Sequence, residues 1–369
     1  MINYPFKEEQ EYIVLINKAD EVKRLVEVGK LNPGKNNSIT DVPGVKVGNL
    51  TYHDDLHHTG ITAIIPHSNN IFKNKLLASC YIGNGFTKPI GFTQVEELGT
   101  IETPILLTNT LSIGVVADGL IKYMLANNED IGLSTGTVNP LVMECNDGGI
   151  NTIRDIFLAS EDVEKAISNS STLFSQGSFG AGAGMTCHGF KGGIGSSSRI
   201  LEIKDKKYYL GVLVNSNFKA NSNDLVFNKN FVGNLINDLQ EDIPDKGSIA
   251  IVIATDIPLD NRQLKRICKR AIIGIGNTGS YMGNGSGDLV LAFSTANIIN
   301  HYSSDATIQL VTLHDSYIDQ VFRGVVEATE EAILNSLLFN KPVKSFKGEI
   351  KNSINESIEA IDDLLITKL

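Results

Sequence analysis

Asp245-Lys246-Gly247-Ser248-Ile249-Ala250-Ile251-Val252-Ile253-Ala254-Thr255-Asp256 decides how the rest of this sequence is read. A charged loop ends in Gly247, one hydroxyl residue follows, and six apolar residues then run without interruption. An unbroken apolar run bounded by turn chemistry predicts a strand buried on both faces. Ser248 then sits at the mouth of a central strand, where an exposed loop meets the core. On the residues alone, two readings of the Gly-Ser pair stand open. One is a loop glycine followed by a strand-opening serine, both common turn residues. The other is a self-cleaving bond, in which the Ser248 hydroxyl attacks the Gly247 carbonyl and hydrolysis of the ester frees Ser248 as a new N-terminus. Its hydroxyl would then be a nucleophile and its own α-amine the base, with an unperturbed pKa of about 7.7–8.0.

The surrounding composition narrows the classes. At 369 residues the chain has room for about two domains or one large α/β unit. Net charge is −10 and no basic block occurs, which argues against nucleic acid as the main partner. Cys80, Cys145, Cys187 and Cys268 are scattered and form no C-x-x-C pair, so they read as reduced thiols, with neither disulfide nor zinc site. Met1–Glu9 has no apolar signal-like region, and no apolar run reaches membrane-spanning length. The expectation is a cytoplasmic protein without a membrane partner.

Strands and helices alternate along the chain. Residues 8–30 carry helical spacing, and Asn32–Asn37 closes them with a turn. Ile39–Asn49, Gly60–Pro66, Leu76–Ile82, Thr103–Thr108 and Tyr208–Val214 read as strands. Residues 112–126, 161–168, Leu225–Leu239, 263–272 and 315–337 read as helices, 274–287 as a glycine loop, and 352–367 as one more helix. The glycine-dense stretch from Gly177 to Gly195 marks backbone that must pass close to something. Such interleaving predicts a layered α/β architecture.

Other constellations carry less. Gly274-Ile275-Gly276-Asn277-Thr278-Gly279 spells the dinucleotide fingerprint but lacks the preceding strand, so no cofactor is expected. His53, Asp54, Asp55, His57 and His58 crowd together without metal-ligand spacing and read as a solvated loop. Ser286 and Asp288, in a Gly-Asn-Gly-Ser-Gly-Asp run, are either a decorated turn or a pair able to orient an N-terminal amine. Asn217 closes a strand, where its amide could donate to an oxyanion. Glu144 is placed in a loop after Pro140, where a carboxylate could hold a substrate ammonium.

These pieces together resemble the L-aminopeptidase D-esterase/β-peptidyl aminopeptidase group, self-processing hydrolases with an N-terminal serine. The resemblance runs from about Ile39 to Asn297. It is carried by Ile39–Val45 with Thr59–Ile64, by Glu102–Thr110, by Phe190–Gly195, and by Asn284–Asp288 followed by Ala292–Thr295. It implies a four-layer αββα sandwich, Ntn-hydrolase-like with a different connectivity, in one domain cut between Gly247 and Ser248 into 1–247 and 248–369. It also implies Ser248 as nucleophile, Ser286 and Asp288 as its orienting partners, Asn217 as oxyanion donor, and Glu144 with Asn146 on the substrate's amine side. Small peptides, amides or esters with a free amine would be the substrates, and a homo-oligomer, a tetramer of cleaved αβ units, the assembly. Asp288 stands where relatives that cleave β-peptides carry glutamate, and Asn146 near a position where some carry tyrosine. An acyltransferase on the same scaffold, or an uncut binding protein, are the alternatives.

Overall fold

The computed structural model describes residues 28–218, 222–227, 229–233 and 246–357. Ten strands build two sheets. The first sheet orders β1 (Lys46–His53), β2 (His58–Ile65), β5 (Ile105–Asn109) and β6 (Leu141–Cys145) side by side. The second holds β3 (Asn74–Gly85), β4 (Thr100–Ile101), β7 (Gly193–Ile203), β8 (Lys206–Phe218), β9 (Lys246–Thr255) and β10 (Gly285–Asn300), in the order β4-β3-β10-β9-β8-β7. The strand that carries Ser248, β9, is therefore central, antiparallel to β8 and parallel to β10.

Alternation along β9 sorts its residues into two cores. Ala250, Val252 and Ala254 join Leu213, Leu289 and Phe293 against Ile61, Leu106 and Met143 of the first sheet. Ile249, Ile251 and Ile253 turn the other way, onto helices α4 (Asn261–Asn277) and α5 (Ile318–Leu338). Each of these isoleucines is fully buried, which is worth roughly 1.5–3 kcal/mol. Helices α2 (Ile113–Asn127) and α3 (Asp162–Ser168) cover the outer face of the first sheet. The short α1 (Phe92–Leu98) lies beside β3. The result is helix, sheet, sheet, helix, as expected.

Helix α4 is the crossover between the parallel strands β9 and β10. It begins with a capping box: the Asp260 side chain accepts from Gln263 N at 2.7 Å, and Asp260 N donates to Gln263 Oε1 at 3.2 Å. Leu264, Ile267, Cys268, Ala271 and Ile275 make its buried stripe. The glycine-dense stretch serves close packing: a Cβ at Gly195 would lie 1.9 Å from Ala332 O of α5.

Several expectations need correction. The start of the expected helix 225–239 is instead a small hairpin, Val226–Phe227 with Asn230–Phe231, its strand tied to Thr278 O by Val226 N; helix is reached only at Gly233, and 228 and 234–239 lie outside the described residues. The expected loop 274–287 starts inside α4 and ends inside β10. Its Gly274 packs against α5, where a Cβ would lie 2.7 Å from Thr329. Ile39–Asp41 is a capped 3-10 turn, and the strand starts only at Lys46. Of the expected helix over 8–30, residues 8–27 lie outside the described residues. So does most of the expected helix over 352–367, of which Ile354–Ser357 forms a 3-10 turn.

Candidate active site

Period two also fixes where Ser248 points. It shares the face of Ala250 and Val252, so its hydroxyl enters the space between the sheets, although it is only 4% exposed. Asn217 on β8 pairs with it from one side and Gly287 on β10 from the other. Asn217 Nδ2 lies 3.4 Å from Ser248 Oγ and donates to Asn146 O at 2.8 Å, while Asn217 Oδ1 accepts from Thr186 N at 3.0 Å. The amide orientation is thus locked, with its donor edge toward the serine.

Glycine at 247 is a steric requirement. Its φ is +136°, and a Cβ there would lie 2.2 Å from Asn217 O and 2.6 Å from Phe218 Cα. Any other residue would push β8 and its Asn217 away from the serine.

From the first sheet, β6 brings Glu144 and Cys145. Glu144 lies in this strand and is 2% exposed, which corrects its placement in a loop. A buried carboxylate is tolerable only with donors around it. Thr87 Oγ1 reaches Oε1 at 2.8 Å, Lys88 N reaches Oε1 at 2.9 Å, and Thr110 Oγ1 donates to Oε2. Each carboxylate oxygen can accept about two hydrogen bonds, so capacity remains for an incoming donor. The Cys145 thiol donates to Asn215 O at 3.4 Å; burial first, then the neighbouring Glu144, pushes its pKa up.

Ser248, Gly247, Asn217, Asn146, Glu144, Thr110 and Lys88 line one cleft of about 550 Å³, with Phe86, Ile153 and Phe218 among its apolar walls. The Asn146 side chain turns back to accept from Gly148 N at 2.9 Å. Beneath it, Asp147 accepts from Thr59 Oγ1 at 2.8 Å, and burial pushes its pKa up to about 6. Ser286 and Asp288 are 1% exposed and joined by a 2.8 Å hydrogen bond from Ser286 Oγ to Asp288 Oδ1. By register they lie beside Gly247 and Ile249, on the helix side of the sheet. That places them next to the Ser248 backbone, while its hydroxyl faces the other way.

The structure therefore gathers five of the seven expected residues around one cleft and sets the other two behind it. Sequence reasoning missed the holders of Glu144, namely Thr87, Lys88 and Thr110, and also missed Cys145. Thr110 closes the quoted Glu102–Thr110 motif, which was the available signal. The larger cavity, about 840 Å³ beside His53, His58, Phe179 and Phe346, contains none of the expected site residues. The histidine cluster is the turn between β1 and β2, where His57 sits between Asp54 and Asp155. Among the described residues no group of three or more His, Cys, Asp or Glu could hold a metal.

A model of peptidase family S58 matches residues 37–351. The chain belongs to peptidase family S58. β-Peptidyl aminopeptidase BapA of Sphingosinicella microcystinivorans is 33% identical over 330 residues, covering 83% of this chain and 82% of the relative. The PH0078 protein of Pyrococcus horikoshii OT3 is 46% identical with a TM-score of 0.88, over 94% of this chain and 99% of that one. The L-aminopeptidase D-Ala-esterase/amidase of Ochrobactrum anthropi, described as a variant of the Ntn-hydrolase fold, is 30% identical with a TM-score of 0.86, over 93% and 98%. This S58 peptidase is thus an aminopeptidase-class hydrolase with an Ntn-hydrolase-like fold.

Proposed function

We propose that this S58 peptidase cuts itself at Gly247–Ser248 and then removes N-terminal residues from small peptides, amides or esters through an acyl-enzyme. In the precursor, Ser248 Oγ attacks the Gly247 carbonyl carbon, the C–N bond breaks, and an ester forms. Water hydrolyses the ester to leave the Gly247 carboxylate and a free Ser248 α-amine. In the mature enzyme that amine accepts the Oγ proton as Oγ attacks a substrate carbonyl, and the departing amine takes the proton. Asn217 Nδ2 donates to the oxyanion. Glu144 holds the substrate's ammonium, which confines the enzyme to free N-termini. The buried Ser286–Asp288 pair orients the Ser248 α-amine from the helix side.

The observation that carries this reading is the Asn217 amide aimed at Ser248 Oγ in the same cleft as a buried, donor-held Glu144. The relatives named β-peptidyl aminopeptidase and L-aminopeptidase D-Ala-esterase/amidase support the substrate class. The four buried, unbridged cysteines support work in a reducing cytoplasm. A homo-oligomer of cleaved pairs belongs to the same reading. Wild type should release p-nitroaniline from free-amine aminoacyl anilides and spare their N-acetylated forms, and Ser248→Ala should stay uncut and inactive. Wild-type turnover by Ser248→Ala would overturn the proposal.

A further inference from the structure

Among the described residues, the acidic and basic side chains lining the Ser248 cleft are Lys88, Glu144 and Lys246. A pocket that had only to hold an ammonium would be expected to carry net negative charge. Processing would set the new Gly247 carboxylate beside Lys246, which leaves Lys88 against Glu144, so Glu144's attraction for a lone ammonium is offset before the substrate arrives. Complementarity is restored if the substrate brings an anion of its own.

Of the two lysines, Lys88 is fixed at the amine end. Its own backbone N–H donates to Glu144 Oε1 at 2.9 Å, so its side chain starts within one residue of the ammonium site. That side chain is exposed, forms no ion pair among the described residues, and holds its Nζ 4.8 Å from the centroid of Phe86, itself 66% exposed at the cleft. Lys246 stands just before Gly247 and after processing would belong to the fragment that ends there, detached from Ser248.

Building on the function proposed above, we propose that Lys88 reads a carboxylate on the same carbon that bears the substrate's ammonium, so that the preferred acyl unit is β-aspartyl. The chemistry leaves few other places for such a charge. In an α-aminoacyl substrate, the carbon bearing the ammonium also carries the scissile carbonyl. In a β-aminoacyl unit one methylene intervenes, and the amine-bearing carbon has a free position. In aspartate linked through its side chain, that position holds a carboxylate. The ammonium then meets Glu144 and the carboxylate meets Lys88.

Two chromogenic substrates isolate the effect. β-Alanyl and L-β-aspartyl p-nitroanilide differ only in that carboxylate. Wild type should favour the β-aspartyl compound by about tenfold in kcat/KM at low salt, with the preference shrinking as salt is added, as befits a partly exposed charge pair. Lys88→Ala should collapse the ratio toward one, and Lys88→Arg, which keeps the charge, should retain it. Equal or poorer use of the β-aspartyl compound by wild type, or a ratio untouched by Lys88→Ala, would overturn the proposal. So would a Lys88-dependent preference for β-alanyl-glycine over β-alanyl-glycinamide, because the lysine would then be reading the leaving group. Turnover of β-alanyl anilide without the preference defeats this inference alone. No turnover of any free-amine anilide defeats the aminopeptidase reading and this inference with it.

Discussion

Replacing Glu144 by glutamine removes one charge and almost no volume. The buried site can accept the change: the amide oxygen takes the place of Oε1, keeping the bonds from Thr87 Oγ1 and Lys88 N, and the amide NH2 faces Thr110, whose hydroxyl can rotate to accept. The fold and self-processing should therefore survive, since the peptide bond at Gly247 presents no free amine. What is lost is the charge-assisted bond to the substrate ammonium. Glu144 is 2% exposed, so solvent screens that bond little. Such bonds contribute about 1.5–3 kcal/mol, or roughly a 10- to 100-fold fall in kcat/KM. The assay compares an aminoacyl p-nitroanilide with its N-acetylated form in both proteins. The free-amine substrate should lose most of its advantage, and the acetylated one should stay at its low level. Unchanged use of the free-amine substrate by Glu144→Gln would mean that the ammonium is held elsewhere.

Asn217→Asp keeps an acceptor for Thr186 N and deletes both N–H donors, so kcat of the mature enzyme should fall roughly 100- to 1,000-fold with KM little changed. A higher KM at an unchanged kcat would reduce Asn217 to a scaffold. Asp147 has its pKa pushed up to about 6 by burial, against 3.8 for the free side chain. Between those values the folded state binds more protons than the unfolded one, so stability falls as pH rises through about 4 to 6 and then levels off. Asp147→Asn should flatten that segment of the Tm–pH curve, and an identical slope in both proteins would remove Asp147 as its cause.

The sequence announced the features whose signal is local. Six apolar residues behind Gly247-Ser248 marked β9, and the spacing of Leu264, Ile267, Cys268 and Ala271 marked α4. Glu144 was harder to place because a charge interrupts the short strand Leu141–Cys145 and turn residues follow at once. The donors that make its burial tolerable lie 34 to 57 residues away in the chain. Gly274 looked like the start of a loop because helix interiors disfavour glycine, yet here it allows α5 to approach. The apolar residues around Val226 looked helical because their pairing partners, including Thr278, are supplied by the fold. Lys88 carried no signal, since its significance rests on contact with a residue 56 positions away.

The central claim is that Ser248 becomes an N-terminus. Intact mass of freshly purified wild-type protein under denaturing conditions tests it most directly. Two species are expected, residues 1–247 and 248–369, the second beginning with a free serine amine. A single species with the mass of all 369 residues that still hydrolyses free-amine substrates would contradict it.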